Sequence, residues 1–287
     1  MSRNDFEEAG RIALEALKYA KTLVKKNVPV LEICEKTEMF IKKEGGEPAF
    51  PLNISINNIT AHYTALPDDN TKVPTDAVVK IDVGVHVNGA IADVAETIII
   101  GAPHKKAQMA VCILNEIFEE LLDVIKDGVR VSKIGEFIWN YAHSAGFGVV
   151  RDLCGHQIER WKLHAGVSIP NIPSSSRAKL RTGMIIAIEP FLVLSSRDTE
   201  TVPDFKGTGI FSLKKVVNEP FWKQIWNKRK TLPFALRWVP EKERKSLIVL
   251  LRKGNVNFYP PLIVKYLVVQ KERTFLVQEN SCKILGE

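Results

Sequence analysis

Apolar residues recur at helical spacing near the start of the chain, at Ala9, Ile12, Ala13, Ala16, Leu17, Ala20, Leu23 and Val24, on one face of a helix that Asn4 or Asp5 can cap. A second helical stretch over residues 30–44 ends at Gly45-Gly46. The period then changes to two. Strands are predicted around Asn53, Ile54, Ser55 and Ile56, at Ala61-His62-Tyr63, and, after a polar loop through Pro74, in the alternating run Val79, Ile81, Val83, Val85 and Val87. The same order follows again, with helical spacing over 105–125 and 131–145 and strands near 148–151 and 184–188. Two helices followed by strands thus occur in both 1–100 and 105–191, which predicts two related halves with a site at their interface.

Residues 192–254 break this rhythm. They contain Pro203, Pro220, Pro233 and Pro240 and helical runs over 219–230 and 241–253, and they read as an insertion. From Tyr259 the pattern is extended again, with Val268, Val269, Phe275, Leu276 and Val277 expected in a terminal sheet. The expected fold is α+β: a main domain of residues 1–191 plus 255–287, and an inserted basic helical subdomain of residues 192–254.

Turn chemistry gives the strongest local signal. Asn88-Gly89 suits a two-residue type I′ hairpin, because both residues tolerate positive φ. That register sets Asp82 opposite Ala95 and Asp93 opposite Gly84, so the two carboxylates are diagonal neighbours on one face. Two readings are open: a pair of surface aspartates, or two anions held together by a metal. The apolar row on the opposite face, with Ile91 and Val78 flanking the carboxylates, favours a packed sheet and hence the metal.

Composition narrows the setting. The 287 residues, 45% hydrophobic, can bury a large core. Cys34, Cys112, Cys154 and Cys282 are scattered without metal or redox spacing, as in a reduced cytoplasmic protein. No apolar run is long enough for a membrane span, and no secretory leader is recognisable. The net charge of +7 is concentrated in 192–254, where 14 Lys and Arg face 6 Asp and Glu. That segment is either a solvated helical surface or a contact for RNA, a ribosome or another acidic partner.

Further ligand-capable residues lie in three segments. His156 and His164 stand eight apart between glycines; a straight strand would separate them by about 26 Å, so a shared site requires a bend. Glu189 ends the apolar run Met184 to Ile188, and Pro190 holds it extended. Glu272 shares a strand face with Gln270 and Thr274. His164 alone is compatible with a core histidine and Glu272 with a solvated strand residue beside Lys271 and Arg273, whereas an acid at the end of a buried strand is costly without a partner. Four carboxylates and one imidazole suit Mn, Fe, Co or Zn.

These segments together resemble the type II methionine aminopeptidases of the pita-bread metallopeptidase superfamily. The resemblance runs through Ala49-Phe50-Pro51 and the segments 58–63, 81–97, 155–166, 187–191, 259–262 and 270–274. It implies a pita-bread fold of two pseudo-symmetric halves of antiparallel sheet covered by helices, with residues 192–254 as the helical insertion. It also implies two divalent ions on Asp82, Asp93, His156, Glu189 and Glu272, with Asp93 and Glu272 bridging. A water or hydroxide between the ions would attack the carbonyl after the initiator methionine. Glu189 would transfer protons, His164 would stabilise the oxyanion, and His62 would orient the substrate backbone or help the leaving amine. Phe50, Leu163, Phe191 and Tyr259 would form the methionine pocket.

The implied partners are methionyl N-termini of nascent proteins with a small second residue, such as this chain's own Met1-Ser2. Ribosome contact is one use of the basic insertion; no membrane or DNA partner is expected, and a cytoplasmic monomer is. Two departures from the resemblance stand out. The usual Gln-Phe-Glu-His-Thr reads Gln270-Lys271-Glu272-Arg273-Thr274, which sets two cations beside the last ligand, and no histidine follows His164. Two other functions compete: a catalytically inactive pita-bread protein that binds ribosomes or RNA, and a proline-specific peptidase of the same superfamily.

Overall fold

The computed structural model describes residues 4–102 and 104–287, so Met1-Ser2 lies outside it. Helices Asn4–Leu23 and Val30–Lys43 are followed by strands; helices Lys105–Val124 and Val131–Ser144 are followed by strands again. The lengths repeat as 20, 14, 20 and 14 residues, which marks the two halves as structural equivalents. Each half carries an antiparallel sheet under its helices. In the first, the long strand Ala77–Val87 pairs with Asn53–Ile56 on one side and Ala90–Ile100 on the other. In the second, five strands run in the order Cys282–Ile284, Arg273–Val277, Ile185–Ile188, Cys154–Glu159, Lys162–Pro170.

Each sheet has its own core, because alternate residues face the covering helices. Ile54, Val79, Ile81, Val83 and Val85 pack with Ile12, Leu17 and Ile33 in the first half. Ile186, Ile188 and Phe275 pack with Phe118, Leu121 and Ile134 in the second. The halves meet at a seam that includes a backbone bridge, where Ala95 and Glu272 exchange N–H···O bonds of 3.2 and 2.9 Å, and a bond from Trp161 N to Gly89 O of 2.8 Å.

The terminal apolar run divides between two sheets instead of forming one. Val268–Gln270 pairs with Phe191–Val193, while Arg273–Val277 pairs with Ile185–Ile188. The chain bends at Lys271 and Glu272 where it crosses the seam. A further layer is built from strands Ile210–Leu213, Phe234–Ala235 and Val256–Tyr259 with helices Pro220–Arg229 and Glu241–Arg252. Its core gathers Phe211, Trp222, Phe234, Leu247 and Leu250. Among the described residues no helix is long and apolar enough to cross a membrane.

Candidate metal centre

The hairpin forms as its turn chemistry requires. Asn88 and Gly89 take φ of 50° and 83°, Asp82 pairs with Ala95, and Asp93 pairs with Gly84. Gly84 is small of necessity, since a Cβ there would come within 2.2 Å of the Phe50 ring. Asp93 is held through its backbone: Thr274 Oγ1 accepts from its N–H at 2.7 Å and donates to its carbonyl at 2.8 Å.

The second half supplies the facing groups. His156 pairs with Ala187, one strand away from Glu189, which follows Ile188 directly. Asn171 Nδ2 donates to the Glu189 carbonyl at 3.1 Å and secures that corner. Glu272 sits on the seam opposite Ala95, the residue that also faces Asp82. His156 Nε2 lies 3.7 Å from Asp93 Oδ2 and 3.9 Å from Glu189 Oε1. Ligand-capable atoms of Asp93, His156 and Glu272 all fall within 4.8 Å of one another.

Electrostatics at this point are unfavourable for bare protein. Burial pushes Asp82 up to about 7. Asp93 is held well above the carboxylate range by burial and then by Asp82 and Glu189. Glu189 is raised by burial and by Asp82, and Glu272 by burial and by Asp93, Glu189 and Asp82. His156 is lowered to about 3 by burial and the neighbouring His164, so its imidazole is neutral and free to ligate. Asp82 Oδ1, Asp93 Oδ1 and Glu272 Oε1 are buried without a hydrogen-bond partner. Converging oxygens that repel one another, lack donors and flank a neutral imidazole fit hard or borderline divalent ions. The donor set is compatible with a metal.

A narrow cavity of about 70 Å³ opens over these groups, lined also by Phe50, Asn53, Ala61, His62, Leu163, His164, Ile210, Pro233 and Tyr259. His156 and His164, eight apart in sequence, bring their rings to 4.4 Å. The bend is a hairpin: Cys154–Glu159 returns as Lys162–Pro170 through Trp161 at φ 64°, with register shifts at Gln157. His62 also has a left-handed backbone, φ 63°, and its ring meets Tyr259 edge-on at 5.9 Å. Burial and His164 lower His62 to about 4, and burial lowers His164. Phe191 is not among the residues lining the cavity; it is fully buried in the adjoining cluster with Val193, Val264 and Val268.

The two cations beside Glu272 are held by partners other than its carboxylate. Arg273 donates to the Ala95 and Glu272 carbonyls and pairs with Glu96, while Lys271 Nζ reaches Asn115 Oδ1 at 2.7 Å. Asn53, Ala61, Ile210 and Pro233 were not apparent from the sequence. Only Asn53 carries a signal, as a polar residue inside an apolar strand; it pairs with Asp82.

The family model described as metallopeptidase family M24 matches residues 4–223. The chain is 37% identical to the methionine aminopeptidase of Pyrococcus abyssi over 98% of both chains. To that of Methanothermobacter thermautotrophicus it is 34% identical over 98% of this chain and 97% of the relative. Among solved structures, methionine aminopeptidase from Thermotoga maritima superposes with a TM-score of 0.74 at 21% identity, covering 100% of this chain and 98% of that one. A thermophilic Arx1 gives 0.83 at 16% identity, covering 99% and 90%. Prolidase from Pyrococcus furiosus gives 0.65 at 20% identity, covering 100% of this chain and 64% of that one, so the shared pita-bread fold extends across different peptidases. The family match and the full-length identity to methionine aminopeptidases agree with the carboxylate-lined cavity: the chain belongs to metallopeptidase family M24, as an aminopeptidase of the methionine aminopeptidase type.

Proposed function

We propose that the chain removes the initiator methionine from newly made cytoplasmic proteins whose second residue is small, with two divalent ions held by Asp82, Asp93, His156, Glu189 and Glu272. The observation that carries this reading is the convergence of four carboxylates and a neutral imidazole, with buried oxygens lacking donors, at a cavity of about 70 Å³. When bound, such ions polarise a carbonyl and lower the pKa of water so that it attacks near neutral pH.

The chain's own groups do the rest. Glu189 lines the cavity, where it takes a proton from the attacking water and passes it to the departing amine. His164, which also lines the cavity, donates a hydrogen bond to the carbonyl oxygen as charge builds there. His62, neutral at physiological pH, holds the substrate amide against Tyr259. Phe50, Leu163 and Tyr259, with Ile210 and Pro233, enclose the thioether; Phe191 backs this wall from the core. Residues 192–254 are proposed as the inserted subdomain, whose basic surface suits a ribosomal contact.

The test is methionine release from Met-Ala-Ser after addition of Mn, Co or Fe to chelator-treated protein. Release that is restored by metal and stopped by chelation supports the proposal. No release with any of these ions, or release that survives chelation, contradicts it.

A further inference from the structure

One basic residue of the inserted layer does not face solvent. Arg229 ends the helix Pro220–Arg229 and is 8% exposed. Its hydrogen bonds go to carbonyls: Nε and Nη2 donate to Pro233 O at 3.1 and 2.5 Å, and Nη2 also donates to Pro48 O at 2.9 Å and Ala49 O at 3.1 Å. The guanidinium lies 4.8 Å from the centre of the Trp238 ring. Burial lowers its pKa to about 10, so the group stays protonated at neutral pH.

The three carbonyls belong to two segments that line the cavity. Pro48 and Ala49 immediately precede Phe50, and Pro233, from a distant part of the sequence, also lines it; Phe50 packs in one cluster with Leu232, the residue before Pro233. Phe50 is already fixed on its other side, where its ring fills the space above Gly84 and Ala49 N donates to Gly84 O at 2.8 Å. Arg229 is therefore the tie between the Phe50 segment and the Pro233 segment. A planar fork can reach both while stacked on Trp238; an ammonium cannot reproduce that geometry.

We propose, on the reading of this cavity as the methionine pocket, that Arg229 is a positioning residue that sets the pocket's width and so its preference for an unbranched thioether over a branched side chain. It touches no reacting atom. Its effect is on which side chain fits against the two lining segments it holds at a fixed spacing, where one misplaced methyl group changes selectivity by about tenfold or more.

The experiment compares Mn-loaded parent and Arg229→Lys on Met-Ala-Ser, norleucyl-Ala-Ser and Leu-Ala-Ser, with folding checked by circular dichroism. The expected result is a KM for the methionyl peptide raised about fivefold, a smaller fall in kcat, and a methionine-over-leucine preference reduced about tenfold. Metal content and the pH profile of the rate should not move. Parent-like KM and selectivity in Arg229→Lys, or an equal loss on all three peptides, would overturn the proposal. If the parent releases no methionine, the functional reading fails separately; calorimetry of L-methionine against L-leucine on both metal-loaded proteins then decides, and equal selectivity in both overturns the role of Arg229. Should Arg229→Lys not fold, Trp238→Leu, which removes the stacked ring, is expected to shift selectivity in the same direction, and unchanged selectivity counts against the proposal.

Discussion

Asp93 has a backbone tied to Thr274 and a side chain tied to nothing except its charged neighbours. Replacing it should therefore spare the fold and remove the chemistry. For Asp93→Ala we expect turnover below about a thousandth of the parent, equivalent to about 4 kcal/mol, with a thermal melt no lower than that of metal-free parent. Methionine release and a melt of the chelated proteins check both halves; an active Asp93→Ala enzyme removes the residue from the mechanism. The same carboxylates predict how metal affinity varies with pH. Their raised folded-state pKa values mean that metal-free protein holds protons at the site, and an incoming cation must displace them. Affinity should rise as pH increases towards and beyond 7, the value near which Asp82 ionises, with protons released on binding. His156, lowered to about 3, adds nothing to this dependence above pH 5 or so. Calorimetry in buffers of different ionisation enthalpy measures the released protons; proton-neutral binding with pH-independent affinity would contradict the assignment.

At the scale of elements, the hairpin carries the register. Gly89 has φ 83°, and a Cβ there would fall 2.2 Å from the Trp161 ring. Gly89→Ala should destabilise the protein by about 1–3 kcal/mol, read as a lower denaturation midpoint; no change would mean that turn and hairpin are not coupled. This element was legible in the sequence because a two-residue turn leaves the pairing no freedom: Asp82 and Asp93 could be placed on one face from Asn88-Gly89 alone. The approach of His156 and His164 was not legible in the same way. Alternation says nothing about where a strand folds back, and the reversal at Trp161 rests on a positive φ in a residue type that does not announce one. Phe191 shows the converse. The family resemblance implies a place in the pocket, whereas its register with Gln270 carries the ring into the core, as its residue type alone would suggest. Arg229 was lost among the basic residues of its segment, since sequence does not distinguish a solvated arginine from one satisfied by carbonyls.

Across the whole molecule, the site exists only because separate units are held in fixed relation. The duplicated helices and strands of the sequence anticipate the two halves, but the seam itself depends on the bend at Glu272, which no local pattern specifies. The layer that contains Phe211, Trp222 and Phe234 is joined to the first half by a buried network around Glu38. Its carboxylate accepts from Leu52 N at 3.1 Å and Trp238 Nε1 at 2.9 Å and pairs with Arg237, which also donates to Thr64 and Ala65. Glu38→Ala leaves Arg237 buried without its anion and should cost about 3–5 kcal/mol of stability. A denaturation curve within 1 kcal/mol or so of the parent would show that the layers are held by other contacts.

The proposed reaction requires five side chains from both halves to enclose a pair of divalent ions. Anomalous diffraction from crystals of the Mn-loaded protein decides whether they do. Two metal peaks are expected, with Asp82, Asp93, His156, Glu189 and Glu272 all in coordinating contact. A single peak, or peaks beyond the reach of His156 or Glu272, would contradict it.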